Sequence, residues 1–175
     1  KEFEQRVIGL LQQLGMEDAK FVVEISSTEN FTPSGTDSVA FLFTANRTTK
    51  PAAIERIASG GELSRVMLVL KAILAERMKL PTVIFDEIDT GVSGNIADAM
   101  GNIISTLAST MQVIDITHLP QVAAKRGEHF VVYKSEGRTN IRHLSDKERI
   151  DEIAKMLSGS EITDAARKQA KILLG

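Results

Sequence analysis

The apolar and polar positions at the start of the chain follow a helical period. A heptad stripe, with intervals of four, three and four residues, is formed by Phe3, Val7, Leu10 and Leu14. This stripe predicts a helix over residues 1–16. Two interpretations of it remain open, because the same spacing fits a helix packed on its own domain and the end of a longer coiled coil. The chain starts inside this pattern without a methionine, so we expect it to be part of a larger protein.

A change of period after Gly15 predicts strands. The segments 19–26 and 37–45 are rich in β-branched and aromatic residues, and a polar stretch over 27–36 separates them. This pattern is typical of an antiparallel pair joined by a turn. The composition of 46–53 predicts a loop.

Two longer helices follow, and each has a clear apolar stripe. The first begins after the double glycine at 60–61, and the second covers residues 94–109. The residues predicted to face the core are Leu63, Val66, Met67, Leu70, Ile73 and Leu74 in the first helix, and Ile96, Met100, Ile103, Ile104 and Leu107 in the second.

The second half of the chain reads as an α/β fold. The continuously apolar segment 81–85 and the segment 111–117 predict two short buried strands of a parallel sheet, with the helix over 94–109 as a right-handed crossover. The remaining elements are two outer strands and two closing helices, predicted over 128–135, 139–144, 146–157 and 161–174. The fold class is therefore α/β, with a parallel β-α-β core, flanking helices, and an N-terminal helix plus antiparallel β pair.

Composition narrows the function classes. The 175 residues, 43% hydrophobic and 25% charged, suit one soluble domain with a real core. Zero cysteines exclude disulfides and thiolate chemistry. No apolar run reaches the roughly 20 residues of a membrane span. A net charge of −2 argues against nucleic-acid binding through overall positive charge, although a local basic patch is compatible with it.

Polar side chains follow both predicted parallel strands. Asp86 and Glu87 end the first strand, and His118 ends the second. Open α/β sheets bind ligands at this carboxyl edge, where adjacent carboxylates suit Mg²⁺ and the activation of an attacking water. A histidine there can donate to a phosphate oxygen. The alternatives are an acidic turn and a structural histidine. His129 and His143 are assigned no role.

The double glycine stands at a helix start. Ser59 and Glu62 fit a capping box, which accounts for both without any ligand. Gly60 and Gly61 are left unexplained, and the amides of a helix start can bind a phosphate that comes close. A helix terminus contributes only about 0.3–1 kcal/mol to an anion, so it can only supplement another phosphate site. No glycine in the chain is followed by lysine, so a P-loop is absent.

Three segments together resemble the head of ABC-type ATPases. ASGGE at 58–62 resembles the ABC signature, TVIFDE at 82–87 resembles Walker B with its catalytic glutamate, and ITH at 116–118 resembles the switch histidine. IDTG at 88–91 stands where that family has its D-loop. The closer resemblance is to the RecN family of bacterial DNA repair proteins, relatives of the SMC proteins, from about residue 37 onward. Ala58 and Glu62 depart from many ABC signatures but fit this family.

The resemblance implies a split head. In the family, the chain begins with a P-loop lobe, continues as a long antiparallel coiled coil, and ends with a lobe that carries the signature and Walker B. Residues 19–175 would be this C-terminal lobe, and 1–16 would be the end of the coiled coil. The complete protein would be an ATPase using ATP and Mg²⁺, whereas the chain alone is expected to be inactive.

The resemblance also implies roles for single residues. Asp86 would help hold Mg²⁺ through water, Glu87 would be the general base, and His118 would contact the γ-phosphate. Asp89 would lie on a dimer-facing D-loop. The remaining positions would reach ATP held by a second head, and they are Ser59, Gly60, Gly61 and Glu62.

The implied partners are the P-loop lobe of the same protein, a second head bound in an ATP-dependent manner, and DNA through the complete protein. A cytoplasmic, nucleoid-associated location without a membrane is expected. Two alternatives remain: a piece of an ABC transporter nucleotide-binding domain, and a non-catalytic module for docking or dimerisation.

Overall fold

The computed structural model describes residues 1–33, 35–57, 59–159 and 161–175. The chain forms two compact units. The first contains Lys1–Pro81 and Ile88–Val92, and the second contains Thr82–Glu87 and Ser93–Gly175. Ala58, which departs from many ABC signatures, lies outside the described residues, as does Ser34 in the predicted turn.

The first unit begins with helix α1, Glu2–Gln13. It packs on helix α2, Gly60–Met78, and on strand β1, Lys20–Thr32. Val7 and Leu14 of the heptad stripe are fully buried. These two residues are therefore core residues of the unit, and the continuation of α1 as a coiled coil stays a prediction.

The predicted antiparallel pair is present but longer than expected. β1 pairs with β2, Gly35–Thr44, and β2 pairs with β3, Ala52–Ala53. A short 3-10 helix, Ile54–Arg56, follows β3. The predicted turn is present at Pro33, but the predicted strand ends are wrong, because both strands continue into the stretch 27–36. Similarly, the last two residues of the loop predicted over 46–53 form a strand.

The extension of the hairpin has a physical reason. Ser27 pairs with Asp37, and Thr32 pairs with Gly35 after a shift in register. Phe31 is 91% exposed, so this end of the hairpin is not part of the core. Backbone hydrogen bonds hold such a ribbon together without the alternation of apolar residues that reveals a half-buried strand.

Helix α2 buries a different face from the predicted one. Val66 and Ile73 are buried as expected, but Leu63 and Leu74 are exposed. The other buried residues of the helix are Gly61, Leu68, Val69, Ala72 and Ala75. Because apolar residues lie on nearly all sides of α2, the spacing alone does not define which side faces the core.

The second unit confirms the β-α-β prediction. Strand β4, Thr82–Asp86, pairs in parallel with β5, Gln112–Ile116, and helix α3, Gly94–Ala108, connects them. Four of the five predicted core residues of α3 are buried, whereas Ile96 is only partly buried. The elements that follow are α4 (Pro120–Ala123), β6 (Phe130–Ser135), β7 (Arg138–His143), α5 (Asp146–Ser158) and α6 (Asp164–Leu174).

The parallel strands are buried on one face only. Val83 and Phe85 of β4 face the core, whereas Ile84 is 57% exposed. Ile114 and Ile116 of β5 are exposed as well. The prediction of two buried strands is therefore only partly right for the described part of the chain, because one face of the sheet is exposed. Parallel sheets are normally covered on both faces, so the exposed isoleucines are unusual for this type of sheet.

The outer strands and closing helices agree with the predictions. β6 and β7 form an antiparallel hairpin, and α5 packs on α6. The core between the two helices contains Ala124, Ile153, Ala154, Ala166 and Ala170. Within the described residues, no helix is both long and apolar enough to cross a membrane.

Candidate functional site

The carboxyl edge of the parallel sheet carries three of the predicted site residues. Asp86 is the last residue of β4 and pairs with Ile116, the last residue of β5. The Glu87 amide donates to the Ile116 carbonyl at 2.9 Å, so the ladder continues one residue beyond the strand. His118 follows two residues after Ile116. The parallel register therefore brings Asp86, Glu87 and His118 to the same edge of the sheet.

All three side chains at this edge are exposed. Exposed side chains are in contact with water, so a ligand can reach them from solvent. No group of three or more metal-binding side chains occurs among the described residues. This donor set suits Mg²⁺, which keeps several waters and takes only one or two protein carboxylates.

The backbone at Glu87 is unusual. Its φ of 46° lies in the left-handed region, which glutamate rarely adopts. Such residues are often found at functional sites, where the surrounding structure holds them in place. The bond from the Glu87 amide to Ile116 is one of the contacts that fixes this conformation.

The start of α2 is capped on one side only. Ser59 is the N-cap residue, and its hydroxyl accepts a hydrogen bond from the Glu62 amide at 3.4 Å. The capping prediction is therefore confirmed for Ser59, whereas the return bond from the Glu62 side chain stays a prediction.

The two glycines of this turn have different surroundings. A Cβ atom on Gly60 would have no heavy atom within 4 Å. A Cβ atom on Gly61 would lie 2.5 Å from the carbonyl oxygen of Gly91 and 3.2 Å from its carbonyl carbon. The glycine at position 61 is therefore explained without any ligand, and its contact with ATP stays a prediction. Its missing side chain is required by a backbone contact within the chain.

The loop Ile88–Val92 belongs to the same unit as α2. The Ser64 hydroxyl donates to the Thr90 carbonyl at 3.0 Å. Asp89 is 1% exposed, so in this structure its carboxyl is buried rather than presented at a surface. Its predicted role at a dimer interface stays a prediction.

Sequence reasoning missed the side chains that hold the first turn of α2. Arg65 donates to the carbonyls of Gly61 at 3.0 Å and of Leu14 at 2.9 Å. It thus links the start of α2 to the end of α1. The signal for the glycine contact was present as two glycines, Gly61 and Gly91, but nothing in a single sequence shows that they meet.

The segment after His118 is held by local contacts in the second unit. The Leu119 amide donates to the Thr117 hydroxyl at 3.0 Å. Lys125, just after α4, pairs with Asp98 of α3 at 2.6 Å. The hydrogen bond from Lys125 lowers the pKa of Asp98 below its ordinary value.

Comparison with curated proteins gives consistent relatives, although no protein-family model matches the chain. DNA repair protein RecN of Rickettsia conorii is 45% identical over 178 residues, covering 99% of this chain and 32% of that protein. RecN of Haemophilus influenzae is 38% identical over 175 residues, covering 97% of this chain and 31% of that protein. RecN of Bacillus subtilis is 43% identical over 147 residues, covering 82% of this chain and 26% of that protein. The chain therefore spans about a third of the length of the first of these relatives.

Comparison with solved structures identifies the fold. An Smc head domain with a coiled coil and joint from Pyrococcus yayanosii matches with a TM-score of 0.70 at 16% identity, covering 89% of this chain and 29% of that one. A chain from work on ATP-driven dimerization and DNA stimulated activation of SMC ATPases matches with a TM-score of 0.65 at 16% identity, covering 91% and 93%. The fold of the chain is that of an SMC-type head domain.

Proposed function

Because this chain is a homologue of RecN, we propose that it is the C-terminal lobe of an ATPase head in a RecN-type protein of DNA double-strand-break repair. The chain spans about a third of the length of the first curated relatives, so ATP hydrolysis is proposed for the complete protein. The observation that carries the proposal is the shared sheet edge of Asp86, Glu87 and His118.

Each group at that edge has a chemical task. The Asp86 carboxylate would hold Mg²⁺ through a water molecule, and Mg²⁺ would neutralise charge that develops on the phosphates. The Glu87 carboxylate would accept a proton from the attacking water. The His118 imidazole would donate a hydrogen bond to the γ-phosphate.

The start of α2 would serve a second head. Ser59 and Gly60 stand at the N-terminus of a 19-residue helix, where free amides attract an anion. The open space at Gly60 lets a phosphate reach these amides. We propose that this turn binds the γ-phosphate of ATP held by another copy of the head, so that the heads associate in the presence of ATP.

The chain needs a phosphate-binding partner lobe. No Gly-Lys sequence is present, and the exposed isoleucines of β4 and β5 leave an apolar sheet face uncovered within the described residues. A lobe that supplies a P-loop and covers this face would complete the site. We propose that the chain alone does not hydrolyse ATP, and that the complete protein acts on DNA in the cytoplasm, associated with the nucleoid.

The decisive test is the substitution Glu87→Gln in the complete protein. The amide keeps the shape of the side chain but cannot accept the proton, so the rate of ATP hydrolysis should fall by roughly 10²–10⁴. ATP binding and ATP-dependent dimerisation should persist. A matched control is Glu136→Gln, because Glu136 also has a left-handed backbone, with φ of 51°, but lies in the turn between β6 and β7. An unchanged rate for Glu87→Gln would remove Glu87 as the base.

The alternatives predict other results. A transporter nucleotide-binding domain is not favoured, since the relatives described above are RecN proteins and SMC heads. A purely non-catalytic docking module would give a complete protein without ATP hydrolysis even when Glu87 is intact.

A further inference from the structure

The second glycine at the start of α2 is in contact with a glycine of the loop Ile88–Val92. A Cβ atom on Gly61 would be 2.5 Å from the Gly91 carbonyl oxygen, and one on Gly91 would be 3.0 Å from the Gly61 nitrogen. Both neighbours are backbone atoms, which cannot rotate away as the end of a side chain can. Any side chain at Gly61 therefore has to displace the loop.

A hydrogen bond fixes the same loop to the next turn of the helix. The Ser64 hydroxyl donates to the Thr90 carbonyl at 3.0 Å, one residue before Gly91. Arg65 also holds the Gly61 carbonyl, which limits how far the helix start can yield. Consequently, the loop packs in one unit with α2, although it directly follows Glu87 of the other unit in the chain.

We propose that Gly61, Ser64 and Gly91 are positioning residues, which hold the loop Ile88–Val92 on α2 and so fix the backbone that follows Glu87. This inference rests on the proposed role of Glu87. The two glycines then have different roles, because Gly61 makes this internal contact, whereas the space beside Gly60 is open.

Amide hydrogen exchange on the chain tests the structural half of the proposal. With Gly61→Ala, the amides of residues 88–92 should exchange at least about tenfold faster, while those of α3 and β4 keep their rates. Gly60→Ala and Gly9→Ala are matched controls, since each adds a Cβ atom to a helix with nothing within 4 Å. Should Gly61→Ala fail to fold, Ser64→Ala is a second test, because it removes the hydroxyl that donates to Thr90 and should loosen the same loop. Ser64→Thr keeps a hydroxyl and should leave the exchange rates of the loop close to those of the wild type.

Kinetics of the complete head test the functional half. Gly61→Ala and Ser64→Ala should lower kcat for ATP hydrolysis by roughly 10–100-fold with KM for ATP unchanged, because a small displacement near the base impairs chemistry more than binding. Gly9→Ala should keep the wild-type kcat.

Three results would overturn the inference: unchanged exchange at residues 88–92, equal acceleration by Gly60→Ala, or a loosened loop with wild-type kcat. A complete head that hydrolyses no ATP at all would instead contradict the proposed function. The exchange data would still decide whether α2 holds the loop.

Discussion

Gly60 is the first residue of α2, and its missing side chain serves no contact among the described residues. Neighbouring Gly61, in contrast, is buried against Gly91. The helix terminus favours negative charge by about 0.3–1 kcal/mol. This turn can therefore add a weak contact to a phosphate whose main binding site lies elsewhere.

The substitution Gly60→Asp separates stability from ligand binding. An aspartate in the first turn interacts favourably with the helix dipole, so the chain should be as stable as the wild type or slightly more stable. The same carboxylate occupies the open space and repels a phosphate, so ATP-dependent dimerisation of the complete head should be abolished. Chemical denaturation and light scattering with and without ATP measure the two effects.

The control for this experiment is Gly60→Asn, which has the same size without the charge. It should impair dimerisation less than Gly60→Asp. Normal ATP-dependent dimerisation of Gly60→Asp would show that Ser59 and Gly60 form a helix cap and nothing more.

The acidic pair at the end of β4 was predictable, but its backbone was not. An apolar strand ending in Asp86-Glu87 places both carboxylates at the sheet edge whatever the details. The left-handed φ of Glu87 costs roughly 1–2 kcal/mol for a residue with a Cβ atom. Nothing in the residue type encodes it, because the conformation depends on contacts such as the bond to Ile116.

Helix α5 begins with a complete capping box, and the Glu148 carboxylate of this box makes its strength depend on pH. The hydroxyl and the backbone amide of Ser145 donate to the Glu148 carboxylate, at 2.6 and 2.9 Å, and Arg142 pairs with it. These bonds, with the Ser145 hydroxyl first, lower the pKa of Glu148 from 4.5 to about 2. The ionised form is thus favoured by folding.

The sign of the pH effect follows from that lowered pKa. The stabilising contribution of Glu148 is fully present above about pH 4.5 and is lost as the pH falls toward 2. The substitution Glu148→Gln should therefore lower the free energy of unfolding at pH 6, and its difference from the wild type should shrink at pH 3. Denaturant unfolding at both pH values measures this. Ser145→Ala should shift the titration of the Glu148 carboxyl upward, and an unshifted NMR titration would contradict the assigned cause.

The elements differ in how well the sequence predicted them. α3 follows a 3.6-residue period, and its predicted core residues such as Met100 and Leu107 are buried. The hairpin end at Ser27–Thr32 was missed, because backbone pairing without burial leaves no pattern of side chains. The face of α2 was misjudged, because its apolar residues surround the helix.

The contact between Gly61 and Gly91 is a second feature that could not be predicted from the sequence. These residues are 30 positions apart in the chain, and a single sequence gives no sign that they touch. Helix capping and anion binding depend only on the residues of the helix start. The missing side chain of Gly61 depends on the backbone of a distant loop.

At the scale of the whole molecule, the proposed function gives the chain two parts of a nucleotide site. The edge with Asp86, Glu87 and His118 would supply chemistry for one ATP, and the turn at Ser59 and Gly60 would supply contacts to another. Neither part would hold a nucleotide firmly by itself, because the chain has no Gly-Lys sequence of a P-loop. This division predicts that activity depends on assembly.

We predict that the P-loop lobe binds the exposed face of the parallel sheet. Ile84 and Ile114 are exposed on neighbouring strands of a sheet type that is normally covered on both sides. Surface substitutions usually change the stability of a chain by less than about 0.5 kcal/mol. Ile84→Ser and Ile114→Ser should therefore leave the isolated chain folded while weakening its association with the P-loop lobe.

Reconstitution combines these expectations in one experiment. The purified chain should not hydrolyse ATP, and addition of the separately produced P-loop lobe should give Mg²⁺-dependent hydrolysis that EDTA abolishes. Ile84→Ser should raise the lobe concentration required for half-maximal activity, whereas Ile25→Ser, at a residue of β1 that is 66% exposed, should not. Hydrolysis by the chain alone would contradict the split site. Loss of that activity in Glu87→Gln would exclude a contaminating ATPase as its source. Equal effects of the two isoleucine substitutions would show that the lobe does not bind the sheet face, since both remove the same apolar side chain from an exposed strand.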